Sequence, residues 1–485
     1  MHPEHEPTPL LKRLQLRLAQ ARFLTFSMLL HAVIVITCGG LVIIKNIGED
    51  VNDFVAPGGD LVNTEIILEA PKDEPTITPQ DFTPPPPAAN APIIPPITVL
   101  APQQQFAMAP VQPVMKPISE PRIITDPIPI KTGKLSGVNP NLPASMMQRM
   151  GGKAREAAMA LNKGKPKSEE AVLRGLRWLV KNQNEDGSWS RENRPAMTGF
   201  ALLSFLGHGE LPTSPEFGPT VQKAVEWLLK QGTEFQGRLS MTKGGWGASS
   251  GVYEHAIAAY ALGEYYTMTK DDRAEPLFKQ AIDYIVQGQG PDGGWMYSYD
   301  KSQSDTSVSG WQIQALKAAY LSGLKIEGLD SALDKAVLNL KRVQGDRGGF
   351  GYRTAEDRYS LTGVGVLCTY FLLQKKDELI RDGIKFMLDK DHPPVKYGGA
   401  NADLYAWYYN TQACLMVGGG PWTKWNGMFQ DELCTAQSPD GSWPPVSTKS
   451  PGPLTKPDGA GPFYRTNLCI LMLEVYYRYA PTTKG

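Results

Sequence analysis

Four copies of one short pattern divide the chain after residue 168. QNEDGSW ends at Trp189, QGPDGGW at Trp295, QGDRGGF at Phe350 and QSPDGSW at Trp443, and a fainter copy, KGGWG, surrounds Trp246. Each follows a stretch with apolar residues three and four apart: AVLRGLRWLVKNQ, AVEWLLKQ, AIDYIVQGQ, AVLNLKRVQ and DELCTAQ. A sixth such stretch, Gly383 to Asp389, lacks the Gly-Trp ending. A second, more uniformly apolar stretch comes after each, starting at Met197, Tyr253, Asp305, Tyr359, Ala402 and Tyr464. The internal period is about 50 residues, and such a unit cannot bury its apolar face alone. An amphipathic helix needs one covered face, whereas a helix apolar all round needs cover on most sides. Six of each, alternating, describe two concentric rings. The expected fold over residues 168–485 is therefore all-α, an (α/α)6 toroid of six inner and six outer helices. Small residues near the inner starts (Thr198, Ser307, Thr362) suit close packing there.

The fullest copy reads Arg174-Gly175-x-x-Trp178-Leu179-x-x-x-Gln183-x-x-x-Gly187-x-Trp189. It resembles the QW repeat of squalene and oxidosqualene cyclases, a group that shares its toroid with protein prenyltransferase β subunits. Read physically, the Gln and Trp tie the end of one outer helix to the next repeat, and the Gly supplies the turn. Gln183, Trp189, Gln289, Trp295, Gln437 and Trp443 are thus structural. The resemblance implies chemistry only where its reactive residues stand. A hopene-type cyclase protonates an alkene from a D-x-D-D-T stretch, and the matching position here is Ser302-Gln303-Ser304-Asp305-Thr306. Ser304 takes the proton donor's place, and serine cannot protonate a double bond. The prenyltransferase zinc set of Asp-x-Cys and a distant His has no counterpart. Asn467-x-Cys469 has the wrong ligand, Asp431-x-x-Cys434 the wrong spacing, and His208, His255 and His392 are the histidines after residue 168. No metal and no cofactor is expected, and the thioester motif of complement-type toroids is absent.

Polar groups opening the apolar helices form the candidate rim of a central cavity. Glu254, His255, Asp305 and Asp403 are the candidate catalytic groups, His255 because imidazole titrates near neutrality. Helix capping is the competing reading for the two aspartates. Trp311, Tyr405, Trp407, Tyr408, Phe463 and Tyr464, with Arg465 and Asn467, are the candidate ligand-binding set, suited to an isoprenoid, a lipid or a sugar face.

The first half is of a different kind. Leu24 to Ile44 carries no formally charged side chain across 21 residues, about 30 Å as a helix and so the thickness of a bilayer core. Lys12, Arg13, Arg17 and Arg22 precede it, which keeps the N-terminus in the cytoplasm. From Pro71 to Ile130 there are 17 prolines in 60 residues, a tether rather than a folded domain. The expected organisation is a cytoplasmic basic segment (1–22), a transmembrane helix (23–45), an extracytoplasmic Pro/Gly-rich linker (46–167) and the toroid. Ser27 and His31 lie on one face of the membrane helix. Ser-x-x-x-His followed by a Pro-rich tract is similar to the energy-transducing TonB family, which implies motor partners of the ExbB and ExbD kind. The placement implied is the bacterial inner membrane, with the toroid in the periplasm. Lys plus Arg equals Asp plus Glu at 49 each, which disfavours nucleic acid as a partner. The leading functional expectation is a tethered toroid that binds a ligand or partner. The alternative is an enzyme, either an isoprenoid- or lipid-processing cyclase or transferase, or a glycan hydrolase with carboxylates across an open cleft.

Overall fold

A computed structural model of the chain describes residues 139, 142–241, 250–373, 377–447 and 454–479. The 23–45 run with Ser27 and His31, the Pro-rich tract and the KGGWG copy lie outside them. Among the described residues no helix is long and apolar enough to cross a membrane.

Two short helices, α1 (Ala144–Met147) and α2 (Gly152–Leu161), come first. Twelve more then alternate in two kinds. The amphipathic kind comprises α3 (Pro166–Lys181), α5 (Gly218–Glu234), α7 (Ala274–Gly288), α9 (Leu329–Val343), α11 (Glu378–Met387) and α13 (Gly419–Ala436). The apolar kind comprises α4 (Arg194–Gly207), α6 (Ser250–Thr269), α8 (Thr306–Ser322), α10 (Tyr359–Leu373), α12 (Leu404–Val417) and α14 (Gly461–Leu473). A last turn, α15 (Val475–Arg478), follows α14. Prolines in the first turns of α3, α4, α5 and α14 preset the helical φ where no N–H is needed.

Each apolar helix packs on two others of its kind, and α14 returns to α4, so the inner ring closes. The amphipathic helices pack outside it. Burial follows the same division. In α12 every residue from Leu404 to Met416 is buried, whereas α3 buries one face through Ala171, Val172, Leu176, Trp178 and Leu179. The observed architecture is the expected all-α toroid.

The repeat motif is the fastener between outer helices. Gln183 Nε2 donates to the Gly187 carbonyl in its own turn and to the Thr220 carbonyl at the start of α5. Gln289 does the same with Gly293 and Ala332, and Gln344 with Gly348 and Leu379. Gln437, with Gly441 and Ala171, joins the last repeat to the first. The indole N–H groups of Trp189, Trp295 and Trp443 donate to carbonyls ten residues back, at Leu179, Ile285 and Leu433. The backbone N–H of each motif's last residue donates to a hydroxyl on the following inner helix, at Thr198, Ser309, Thr362 or Thr466. In the third repeat that hydroxyl is Ser309 rather than Ser307, whose Oγ bonds Asp305 and Tyr253 instead. Glycine is required in the turn. Gly187 has φ +93°, and a Cβ there would lie 2.4 Å from the Lys223 carbonyl oxygen.

Residues 142–165, expected from their composition to belong to the linker, are part of the folded body. Arg149 is buried, and Asn162 Nδ2 donates to the Tyr476 carbonyl. The linker assignment of 46–167 is therefore too long at its C-terminal end. A Gly- and Met-rich stretch without strong periodicity gives no sign of this, because its ordering comes largely from groups more than 50 residues away, among them Leu206, His208, Glu264 and Tyr476.

Candidate functional site

All six inner helices point the same way. The start of α6 meets the segment before α4 through Asn193 Nδ2 and Glu254 Oε1, and Tyr253 OH meets Ser307 Oγ at the start of α8. Thr306 N–H donates to the Tyr352 carbonyl just ahead of α10. The toroid thus has one mouth made of helix N-termini, a central axis, and a second mouth made of helix C-termini.

At the N-terminal mouth the candidate catalytic groups are held by the backbone. Asp305 caps α8: its Oδ1 accepts from the N–H groups of Ser307 and Val308 and from Ser307 Oγ. Burial raises its pKa above the ordinary carboxylate value. Asp403 caps α12 by accepting from Ala406 N–H, and burial pushes it up to about 7. Glu254 Oε2 accepts from Met241 N–H. Glu254 and Asp305 are buried and Asp403 is half-buried, and each is turned onto backbone N–H groups rather than across a cleft. His255 corrects the expectation that it titrates near neutrality. Its Nδ1 accepts from Leu239 N–H and its Nε2 donates to the Ala281 carbonyl, and burial pushes it down to about 4. It is a neutral brace between α6 and α7.

The axis is filled with rings. Trp311 stacks on Tyr408 with centroids 5.6 Å apart and meets Phe200 edge-on at 5.2 Å and Tyr409 at 5.5 Å. Phe200 packs on Tyr464, and Tyr405 on Tyr409. Trp311 and Tyr409 are 0% exposed and Tyr405, Trp407 and Tyr408 1%, so no water-sized void adjoins them. The expected pocket lining is instead a packed column, each ring contributing roughly 2–3 kcal/mol by burial. Phe463 packs on Trp178 in the outer ring. Arg465 is spent on the carbonyls of Trp443, Leu454 and Lys456, and Asn467 on Ser204 and Phe463. Among the described residues no group of three or more His, Cys, Asp or Glu could hold a metal ion.

The C-terminal mouth gathers charges that the motif search passed over. Arg149 Nη1 donates to Glu264 Oε2 at 2.7 Å, and its Nε and Nη2 hold the Arg478 carbonyl. Arg478 Nη2 lies 3.3 Å from both Glu264 Oε1 and Tyr260 OH. Lys317 stands beside them, its Nζ over the Phe371 ring, with no hydrogen bond or ion pair to any described residue. The signal was present in the sequence. Glu264, Lys317 and Arg478 are lone charges within otherwise apolar stretches, and such charges are rarely buried without a partner or a task.

Next to this cluster His208 sits between two carboxylates, Nδ1 at 2.7 Å from Glu210 and Nε2 at 3.0 Å from Glu169. Arg155 from α2 approaches Glu169 and donates to the His208 carbonyl. Although burial lowers the imidazole's pKa, the two carboxylates outweigh it and raise it to about 9. The buried Glu474 carboxyl near by is also raised, by burial. Groups raised on folding bind more protons in the folded state, so they stabilise fully below their unfolded values and lose that contribution as pH rises. Lys317, whose amine burial pushes down to about 7, acts in the opposite direction above pH 7, so the test is the difference between wild type and variant: in urea unfolding of the full chain, the stability lost in His208→Gln should shrink between about pH 6.5 and 9. An unchanged slope in the variant would show that His208 is not the group responsible.

No protein-family model matches the chain. A probable squalene–hopene cyclase of Sinorhizobium fredii is 24% identical over 216 residues, covering 40% of this chain and 32% of that protein. The body is a cyclase-like α/α toroid. The chain spans about a third of that relative's length. Solved structures similar to this one include the α-1,6-mannanase GH76A of Salegentibacter sp. HEL1_6, with TM-score 0.48, 12% identity, and coverage of 64% of this chain and 98% of that one. The type II terpene cyclase MstE from Scytonema has TM-score 0.43, 15% identity, and coverage of 64% and 98%.

Proposed function

We propose that the toroid is a non-catalytic binding module for a partner, carried on the Pro-rich tether. In this reading residues 23–45 anchor the chain in the bacterial inner membrane, the toroid stands in the periplasm, and the Ser27/His31 face engages motor proteins of the ExbB and ExbD kind. The observation that carries the non-catalytic assignment is the packed aromatic axis. A cyclase needs an open apolar chamber around its acid, and a glycan hydrolase needs two carboxylates across a cleft. Here the rings of Phe200, Trp311, Tyr408, Tyr409 and Tyr464 occupy the chamber, and the acids cap helices. Ser304, in the position of the cyclase proton donor, donates to Asp292 and accepts from Asn339 and Arg342.

One observation favours a second reading, an axis that opens to hold an isoprenoid, lipid or glycan for processing. Trp311 Nε1–H has no acceptor among the described residues, although the side chain is fully buried. A buried donor left unpaired costs about 1–3 kcal/mol, which a polar ligand atom could recover. Native mass spectrometry of the full chain, extracted from membranes, separates the two. The module reading expects the mass of the bare chain in the wild type and in Trp311→Ala. A small molecule that co-purifies with the wild type and is lost from Trp311→Ala would overturn it in favour of an occupied chamber.

A further inference from the structure

The C-terminal mouth is crossed by a segment that the ring does not need for closure. Asn139 N–H and Nδ2 donate to the Met268 and Thr267 carbonyls at the end of α6. Met146 faces Ala318 and Leu321 of α8 across a cavity of about 20 Å³. Arg155 Nη1 donates to the His208 carbonyl just after α4, and Asn162 Nδ2 to the Tyr476 carbonyl in α15. The Trp422 indole of α13 donates back to the Asn162 carbonyl. The segment 139–162 thus lies over the ends of α4, α6 and α8 and against α15. Its apolar hold is slight. In α2 the buried side chains are Ala158 and Met159, whereas Leu161 is 71% and Met147 of α1 46% exposed. The toroid closes independently of it, since α14 packs on α4 and Gln437 fastens the last repeat to Ala171.

The strongest tie is one arginine in a fitted socket. Arg149 Nε and Nη2 both donate to the Arg478 carbonyl, at 3.2 and 3.0 Å. Its Nη1 donates to Glu264 Oε2 at 2.7 Å and to the Leu206 carbonyl at 3.4 Å. A planar guanidinium fills this fork of acceptors, and a compact ammonium does not. Gly209, with φ +88°, gives the Arg149 backbone room, because a Cβ there would overlap the Arg149 carbonyl oxygen. Withdrawal of Arg149 leaves no lone charge behind, since Glu264 keeps Arg478 at 3.3 Å. We propose that residues 139–162 form a releasable strap over the C-terminal mouth, latched by Arg149, and that lifting it opens the socket to an arginine-bearing segment of a partner. The Pro-rich tract precedes Asn139 in the chain, so a pull along it loads the strap before the ring. The partner and the pull rest on the binding-module reading above; the strap and its latch do not.

Hydrogen exchange of the full chain in detergent, read by mass spectrometry, tests it. In the wild type, residues 142–161 should exchange as one unit, about 100-fold faster than α4 and α14. Arg149→Ala should speed that unit a further ~10- to 100-fold, the effect of losing a charge-assisted latch, and leave α4, α6 and α14 unchanged. N-Ethylguanidinium, the part of the side chain removed, should restore slow exchange at millimolar concentration, whereas n-propylammonium should not. A labelled peptide of residues 142–161 should bind Arg149→Ala more tightly than it binds the wild type, and should lose that binding when it carries Arg149→Lys itself. Strap and ring exchanging together in the wild type would overturn the proposal, whether or not the variant folds. Loosening of α6 and α14 along with the strap in Arg149→Ala, or equal rescue by the ammonium, would overturn the latch. Failure of the peptide to bind would overturn the open socket. None of these results alters the small-molecule test of the binding-module reading, so the two readings fail separately.

Discussion

Glu264→Gln is expected to lower the stability of the full chain by about 3–5 kcal/mol, read as a fall in the urea unfolding midpoint. Glu264 is the anion between Arg149 and Arg478, and all three groups are out of water. The amide keeps the shape and some hydrogen bonds, but it leaves two guanidiniums without a counter-charge in a medium that solvates them poorly. The same change at Glu216, whose ion pair with Arg177 is half exposed on both sides, should cost less than about 0.5 kcal/mol. The two guanidiniums hold the Glu264 carboxyl down to about 2 despite its burial. A depressed carboxylate stabilises the fold above its unfolded value, near 4.5, and loses that contribution as pH falls toward 2. Acid sensitivity below pH 4.5 should therefore be weaker in Glu264→Gln than in the wild type. Near-equal losses in Glu264→Gln and Glu216→Gln would mean that the cluster is wetter than the geometry allows.

This cluster also shows where the sequence was legible and where it was not. The alternating kinds of helix and the Gln and Trp fasteners could be read from local spacing, because each acts within its own turn or on the adjacent repeat. The helix starts came out close to those expected, with α10 beginning at Tyr359 and α14 three residues before Tyr464. The site was harder to read. Glu254, His255, Asp305 and Asp403 were selected for lying at helix starts, and that same position gives them backbone partners. His255 illustrates the limit: no local pattern announces that Leu239 and Ala281 will take both ring nitrogens. Whether the aromatic set lines a chamber or fills it depends on how six helices meet at one axis, which no single stretch of sequence encodes. Arg149 was invisible for a related reason. It stands in a stretch without helical periodicity, and its partners, Glu264 and Arg478, lie 115 and 329 residues further on. A search for lone charges inside the inner-ring stretches would have found Glu264, Lys317 and Arg478.

Closure of the ring yields the second large effect. A toroid differs from an open solenoid in having no terminal repeat, so its first and last outer helices must be fastened like any other neighbours. The fastening residues are those of the fourth motif copy. Trp443 is 1% exposed, its indole donates to Leu433, and its carbonyl accepts from Arg465. It also packs where Gly175 of α3 leaves room, since a Cβ on that glycine would lie 3.3 Å from the indole. Trp443→Ala should therefore cost about 3–5 kcal/mol, the usual range for emptying a core of this size. Because the seam joins the two ends of the folded body, hydrogen exchange should quicken in α3 and α14 together, although they are almost 300 residues apart in sequence. Gln437→Ala removes the donor to two carbonyls, Ala171 and Gly441, and should cost about 1–3 kcal/mol. Gln222→Ala, which removes only an exposed hydrogen bond to Glu226 on α5, should cost less than about 0.5 kcal/mol. Equal losses at Gln437 and Gln222 would show that the hydrogen bonds across the seam contribute nothing to closing the ring.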